Sequence, residues 1–165
     1  MKEKILVIAP QYIGDGILSV PFFRNLRLSQ KDAQIDAISK NAGKIILSNV
    51  PYIDSVYDLK DVSKKFIREQ KYTKVYLLKR SFSALMLVIG CGIKEKVGFD
   101  GQFRKPFLTK SVEYKTNQKH ERDCFLDVLK ADGIEIKDDS LEYFCDEKIE
   151  VKIKHLLQER KKAIV

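Results

Sequence analysis

Short apolar runs alternate along the chain with amphipathic stretches. The segment 4–9 is almost wholly apolar and rich in β-branched residues, which is typical of a strand buried on both faces of a parallel sheet. Further strands are predicted at 34–39, 54–58, 73–78, 94–98 and 140–145, and helices at 17–28, 41–48, 61–70, 82–90, 118–131 and 147–160. This alternation predicts an α/β fold: a Rossmann-like, open and mostly parallel sheet with helices on both faces.

Two segments are predicted to lack helix or strand, and one predicted helix contains a proline. Residues 11–16 are predicted to form a turn, and 99–117 a long basic loop. Pro21 lies inside the helix predicted at 17–28. Either that helix begins near Ser19 with Pro21 in its first turn, or it is bent at the proline.

One domain is expected over residues 1–160, because 165 residues are enough for a single hydrophobic core. The last residues, 161–165, resemble the start of one more strand, which we interpret as the beginning of a second domain that this chain does not contain.

Ligands bind open parallel sheets at the carboxyl ends of the strands. The corresponding segments here are 9–16, 39–43, 79–82 and 98–104. Candidate chemistry is therefore sought in these four segments.

The first segment carries a single carboxylate, Asp15, flanked by Gly14 and Gly16 in the sequence PQYIGDG. The dinucleotide-binding pattern GxGxxG is absent. Near a helix N-terminus the ionised form of Asp15 would be favoured. The pattern alone leaves two interpretations open, a functional carboxylate or a plain helix cap.

Two further clusters are cationic. Lys79, Arg80 and Ser81 follow a strand and open an apolar helix, an arrangement that suits an anion, although solvated cations and a capping serine fit equally. In the predicted loop, Arg104 and Lys105 are interleaved with Phe99, Phe103 and Phe107. These aromatic rings could stack on sugar, rest on lipid, or only pack the loop onto the sheet.

The net charge and the number of cysteines and histidines limit the kinds of ligand that the protein is expected to bind. The 31 basic against 23 acidic residues give a net charge of +8, which favours anionic partners but is also met in plain lysine-rich surfaces. The basic residues are dispersed and form no nucleic-acid motif, so no nucleic acid is expected. Three cysteines without CxxC spacing and two histidines offer few metal ligands, and reduced thiols are expected.

The apolar run at 84–93 is too short to span a bilayer, and the N-terminus lacks the pattern of a signal peptide. A cytoplasmic location is therefore expected.

Three stretches, in order, resemble the heptosyltransferases of glycosyltransferase family 9. The first, ILVIAPQYIGDGILSVPFFRNLR, carries the family's strand, Gly-Asp loop and helix with a proline. The second, LKRSFSALMLVIGCGIKEKVGFDGQFR, is similar to its Ser-Phe-x-Ser-Ala helix and Val-Gly-Phe-x-Gly loop, although Arg80 departs from an Asn common there. The third, HERDCFLDVLKADGI, resembles its His-led helix ending in glycine.

The resemblance implies the N-terminal, acceptor-binding half of a GT-B enzyme. Heptose would pass from ADP-heptose, bound mainly by the second domain, to the lipopolysaccharide inner core (Kdo/heptose-lipid A) with inversion. Asp15 would be the catalytic base, and no cofactor or metal is implied. The acceptor-binding residues would be Gly14, Lys79, Arg80, Ser81, Arg104 and His120.

The resemblance further implies a protein peripheral at the inner face of the cytoplasmic membrane, and this half alone is expected to be inactive. Two alternatives remain open. One is a family-9-like glycosyltransferase with another acceptor, and the other is a non-catalytic α/β module that binds phosphorylated sugars.

Overall fold

The computed structural model describes residues 3–101, 103–115 and 117–145. In this part of the chain six strands form one sheet: β1 Lys4–Ile8, β2 Gln34–Ser39, β3 Ser55–Asp58, β4 Lys74–Leu77, β5 Glu95–Phe99 and β6 Lys110–Val112. The spatial order is β3-β2-β1-β4-β5-β6, and every neighbouring pair is parallel. The predicted Rossmann-like parallel sheet is confirmed.

Helices cover both faces of this sheet. They are α1 Ile13–Leu18, α2 Val20–Ser29, α3 Asn41–Leu47, α4 Lys64–Gln70, α5 Phe82–Val88 and α6 Glu121–Ala131, with short 3₁₀ turns at Leu59–Asp61 and Lys105–Phe107. Alternate residues of β1 enter two separate cores. Ile5 and Val7 pack in the core that contains Phe22 of α2, whereas Leu6 and Ile8 pack in the other core. Alternation of side chains across a strand therefore explains the two layers.

The region before α2 differs from expectation. The turn predicted at 11–16 is wrong, because α1 already begins at Ile13. The helix predicted at 17–28 is two helices that meet at Ser19, and Pro21 lies in the first turn of α2, which confirms the first of the two alternatives. Gly16 is buried in α1, and a Cβ there would lie 3.5 Å from Ile46 of α3. Close packing of α1 on α3 thus outweighs the poor helix propensity of glycine.

The loop predicted at 99–117 contains a strand. Residues Lys110–Val112 form β6, which pairs in parallel with β5 at the sheet edge. Three residues are too few to show the period of a strand in the sequence.

The strand predicted at 140–145 is wrong, since these residues are irregular. Side chains of α2 satisfy the backbone there and just before it. Arg24 Nη1 donates to the Ser140 carbonyl at 3.1 Å, and Asn25 Oδ1 accepts from the Lys137 backbone N–H at 2.7 Å. These bonds take the place of a strand ladder. The helix predicted at 147–160 and the strand start at 161–165 lie outside the described residues.

The remaining helices agree with prediction apart from their ends. Ser63 caps α4 through a bond from the Phe66 backbone N–H, so α4 begins at Lys64 rather than at 61. The helix predicted at 82–90 ends at Val88, and Gly90 and Gly92 beyond it have positive φ values of 79° and 82°. Within the described ranges, none of the helices has the length and apolar character needed to cross a bilayer.

Candidate functional site

A small polar cavity lies where the sheet order reverses, between the carboxyl ends of β1 and β4. It encloses about 110 Å³. Its lining consists of Pro10, Gln11, Tyr12, Asp15, Leu78, Lys79, Arg80, Glu121 and Phe125. Asp15, Lys79 and Arg80, which come from two of the four strand-end segments named in the sequence, share this cavity. Such a switch point is the usual ligand crevice of an open parallel sheet.

Asp15 stands in the first turn of α1, half-buried. Tyr12, and not Asp15, is the residue at the N-cap position, and its side chain makes no capping hydrogen bond to the described residues, so the interpretation of Asp15 as a cap is wrong. No described residue donates a hydrogen bond to its carboxylate or pairs with it. The carboxylate is therefore available to a ligand in the cavity.

Lys79 brings a positive charge to the opposite wall. Its Nζ donates to Gln11 Oε1 at 3.2 Å, so the loops after β1 and β4 are joined across the crevice. Burial, and then the nearby charge of Lys40, lower the pKa of the Lys79 ammonium. An anion bound beside these two ammonium groups would offset both effects.

Arg80 is exposed at the rim, and its guanidinium carbon lies 3.8 Å from the centre of the Tyr114 ring. Ser81 is the N-cap of α5: its Oγ accepts from the Ala84 backbone N–H at 3.4 Å and lies 3.0 Å from Ser83 Oγ. The capping interpretation of Ser81 is thereby confirmed. A binding role in addition stays a prediction.

Glu121 is a second carboxylate in the cavity, and the sequence analysis did not single it out. It is the first residue of α6 and accepts a hydrogen bond from the Tyr114 hydroxyl. An acidic residue in the first turn of a helix fits the helix dipole alone, so its type carries no functional signal. Only the packing of α6 beside the ends of β1 and β4 reveals its position.

Arg104, His120 and Gly14 are near the cavity without lining it. The Arg104 side chain is fully buried, Nη1 donates to the Lys79 carbonyl at 3.1 Å, and burial lowers the pKa of the guanidinium. His120 Nδ1 accepts from the Arg122 backbone N–H and so caps α6. Gly14 is exposed, with open space where a Cβ would stand. Arg104 supports the backbone of the cavity wall, and the acceptor-binding roles of all three stay predictions.

The three phenylalanines of the basic segment have different surroundings. Phe99 is buried in β5 against the Tyr114 ring, which confirms packing for this residue. Phe103 is 91% exposed and adopts a positive φ of 58°, and Phe107 is 46% exposed. Two aromatic side chains thus remain on the surface beside Lys105, where lipid or sugar could reach them.

A larger, open cavity of about 800 Å³ lies beyond the carboxyl ends of β2 and β3. Its cationic lining is Lys40, Lys44 and Lys60. Asp58 also lines it and lies 3.7 Å from Lys44 Nζ and 3.8 Å from Lys60 Nζ. Lys60 is sixteen and twenty positions from Lys44 and Lys40 in the sequence, and the adjacency of β2 and β3 brings it beside them.

The loop after β1, which lines the small cavity, contacts α3, which lines the larger one. The Gly43 backbone N–H of α3 donates to the Gln11 carbonyl at 2.9 Å.

Of the cysteines, Cys91 and Cys124 are buried thiols and Cys145 is partly exposed. No group of three His, Cys, Asp or Glu side chains within the described ranges could hold a metal ion.

The sheet order and the crevice at its switch point define a Rossmann-like domain of the kind found in GT-B glycosyltransferases. A solved structure of Escherichia coli ADP-heptose lipopolysaccharide heptosyltransferase II matches with a TM-score of 0.70 and 23% identity, over 87% of this chain and 45% of that chain. A family 9 glycosyltransferase from Veillonella parvula matches with a TM-score of 0.71 and 23% identity, over 88% of this chain and 46% of that chain. These structures confirm the fold.

Sequence similarity points to one group within this class. The chain is 26% identical over 116 residues to lipopolysaccharide heptosyltransferase 2 of Escherichia coli K12, covering 64% of this chain and 33% of that protein. The protein of the same name from Salmonella typhimurium is 24% identical over the same length. No protein-family model matches the chain. The resemblance to the heptosyltransferases is confirmed, and the chain spans half or less of the length of these relatives.

Proposed function

We propose that this chain is the acceptor-side domain of a heptosyltransferase that transfers heptose from ADP-heptose to the lipopolysaccharide inner core. The similarity to lipopolysaccharide heptosyltransferase 2 supports the reaction class. The observation that carries the site is the Asp15 carboxylate, which pairs with no described residue and lies in one cavity with Lys79 and Arg80. The donor is bound by a second domain outside these 165 residues.

Asp15 acts as the general base. An acceptor hydroxyl attacks the anomeric carbon as the bond from that carbon to the ADP oxygen breaks, and the configuration inverts. The hydroxyl proton passes to the Asp15 carboxylate, and ADP leaves with the electron pair of the broken bond. Help of this kind contributes about 100- to 10,000-fold to the rate. The absence of a competing cation at Asp15 among the described residues supports this role.

Lys79 and Arg80 hold an anionic substituent of the acceptor, a Kdo carboxylate or a phosphate. Arginine presents a planar fork of N–H donors that matches both groups, and lysine adds a point charge. Gly14, Ser81 and His120 lie next to lining residues in the chain and extend the acceptor site, and Arg104 supports it from below through its bond to the Lys79 carbonyl. The lysines of the larger cavity extend the positive surface for further anionic groups of the same acceptor.

The protein works as a peripheral protein at the inner face of the cytoplasmic membrane. Exposed Phe103 and Phe107 beside Lys105 support this location, because aromatic and cationic side chains together favour an anionic lipid interface.

A second candidate is a non-catalytic module that binds phosphorylated sugars. Its support is the cationic lining of both cavities in a chain that spans half or less of its relatives. An enzyme of family 9 type with another acceptor fits the same fold.

One assay separates these candidates. The complete protein that carries this chain is mixed with ADP-heptose and with lipopolysaccharide that lacks the second heptose of its inner core. The release of ADP and the mass of the acceptor are then followed. We expect ADP release only with both substrates, and an acceptor heavier by one heptose. Turnover with other nucleotide sugars but not with ADP-heptose would contradict the proposed donor. Binding of the acceptor without any turnover would favour the non-catalytic module.

A further inference from the structure

Arg80, Tyr114 and Glu121 form a chain of contacts at the rim of the small cavity. The Arg80 guanidinium carbon lies 3.8 Å from the centre of the Tyr114 ring, close enough for a cation–π contact. The Tyr114 hydroxyl donates to the Glu121 carboxylate, and the edge of Phe99 packs against the ring with 5.1 Å between centroids. The ring that contacts Arg80 is thus held on two sides.

A second cluster of the same composition lies outside the lining of the small cavity, and it shows what is unusual about the first. Arg24 lies 5.8 Å from the centre of the Tyr52 ring, and the Tyr52 hydroxyl donates to Glu142 at 2.9 Å. The Arg24 guanidinium, however, is also paired with Asp138 at 2.9 Å and with Glu142 at 2.6 Å. In that cluster the arginine's charge is already paired with carboxylates of the protein itself.

The guanidinium of Arg80 has no such use. No described residue accepts a hydrogen bond from it or pairs with it, although Glu121 lines the same cavity. A guanidinium that rests its face on an aromatic ring keeps the N–H donors in its plane free for an oxyanion. The ring contact also restricts a long side chain before the ligand arrives, which lowers the entropy lost on binding.

We infer that Tyr114 is a positioning residue, which holds Arg80 so that its free N–H edge binds an anionic substituent, a carboxylate or a phosphate, in the small cavity. This inference rests on the acceptor site proposed above. Glu121 acts through the tyrosine: its bond to the hydroxyl fixes the ring, while the hydroxyl donor partly satisfies the carboxylate and reduces its repulsion of the incoming anion.

The test is a double-mutant cycle on the 165-residue chain with inorganic phosphate as the probe. Phosphate is titrated into protein labelled with ¹⁵N, and the Arg80 side-chain Nε–H signal is followed by NMR. Binding to the Arg80→Ala protein is read from backbone signals of the cavity wall. We expect Arg80→Ala to weaken binding about tenfold or more, and Tyr114→Leu to weaken it roughly 2- to 5-fold. In the Arg80→Ala background, Tyr114→Leu should have no further effect.

Three comparisons separate positioning from loss of structure. Tyr114→Phe keeps the ring, so it should remain within about twofold of the wild type for phosphate while the Arg80 signal broadens or shifts. Tyr52→Leu removes the matching ring under Arg24 and should leave phosphate binding unchanged. Urea unfolding of each variant shows that it is folded at the titration temperature.

Two results would overturn the inference. One is equal weakening by Tyr114→Leu with and without Arg80, which would make the tyrosine a structural residue only. The other is a wild-type Arg80 signal that phosphate does not move. The cycle involves no sugar transfer, so it does not depend on which nucleotide sugar the complete enzyme uses, and failure of the transferase assay leaves its outcome unaffected.

Discussion

Individual side chains at the β1–β4 switch point differ in what surrounds them, and that difference indicates their roles. Asp15 and Arg80 have polar atoms that no described residue satisfies, whereas Ser81 and His120 are engaged as helix caps. An unsatisfied carboxylate at a cavity wall remains free to accept a proton from a substrate. A capping group would have to break its bond first.

We predict that Asp15→Asn in the complete protein lowers turnover at least about 100-fold, because the amide cannot accept the acceptor's proton. Substrate KM values and the urea midpoint should change little, since the Asp15 side chain makes no hydrogen bond to the residues that the structure describes. Steady-state ADP release measures the effect. Asp32 is an exposed carboxylate at the amino end of β2, and Asp32→Asn is the control, which should keep full activity. Near-normal turnover of Asp15→Asn would remove the base from the mechanism.

At the scale of elements, the cavity depends on how closely α1 and α3 approach the loop after β1. A Cβ on Gly43 would collide with the Pro10 carbonyl oxygen and lie 2.7 Å from Ser39 Oγ. Most of these neighbouring atoms belong to the backbone, so they cannot move aside without a cost in free energy. Gly14, one helix away, has open space in the same position.

We predict opposite effects of alanine at these two glycines. Gly43→Ala should destabilise the protein by about 1–3 kcal/mol through overpacking. Gly14→Ala should stabilise it by up to about 1 kcal/mol, because alanine is the better helix former. Urea unfolding measures both, and the pair serves as its own control. A neutral Gly43→Ala would show that α3 can move away from the loop without cost.

At the amino ends of the strands, one carboxylate connects several elements of the fold. Asp132, which caps the end of α6, has a side chain only 1% exposed, and it accepts from Lys74 Nζ, Lys110 Nζ and the Tyr76 hydroxyl at 2.6–2.7 Å. Burial alone would raise the pKa of Asp132, but the bonds from Lys110, Lys74 and Tyr76 outweigh it and lower the pKa. The carboxylate thus joins α6 to β4 and β6.

A lowered pKa in the folded state makes stability depend on pH in one direction. The contribution of Asp132 should be fully present above its ordinary pKa of about 3.9, and should be lost as the pH falls through its lower folded value. We predict that Asp132→Asn costs about 3 kcal/mol at pH 7, and that the variant loses less stability than the wild type on acidification below about pH 4. Urea unfolding between pH 2.5 and pH 7 tests this, with exposed Asp139→Asn as the control; parallel pH profiles for wild type and Asp132→Asn would contradict it.

At the scale of the whole molecule, the two cavities and a buried ionic network lie at opposite ends of the strands. The cationic cavities lie beyond the carboxyl ends of the strands, whereas the Asp132 network lies at their amino ends, where Lys74 begins β4 and Lys110 begins β6. The proposed functional site and the stabilising Asp132 network are thus at opposite ends of the strands of one sheet. Substitutions at one end should act independently of those at the other.

We predict that residues 1–165 alone do not transfer heptose, because the donor site is proposed to lie in another domain. The measurement is ADP release from ADP-heptose with the acceptor present, compared with the complete protein at equal concentration. Adding the donor-binding domain as a separate chain is the matched control and should restore part of the activity. Robust transfer by the 165 residues alone would contradict the two-domain proposal.

Much of the fold could be predicted because its signals are local. The buried strand β1 is a continuous apolar run, and helix ends are marked by glycines such as Gly133, which has a φ of 83°. The errors occur where local signals are weak or are overruled. Residues 13–18 form a helix despite two glycines, because they pack on α3, and β6 is too short to show a period.

The sequence by itself determined the alternation of strands and helices, the parallel sheet and the candidates Asp15, Lys79 and Arg80, because each depends on residue type and near neighbours. Only the tertiary structure decided which distant residues join them. Tyr114 and Glu121 lie more than thirty positions from Arg80, and Arg104 is buried under Lys79 rather than exposed. Contacts between separate strands and helices depend on packing in three dimensions, which no local pattern of residues encodes.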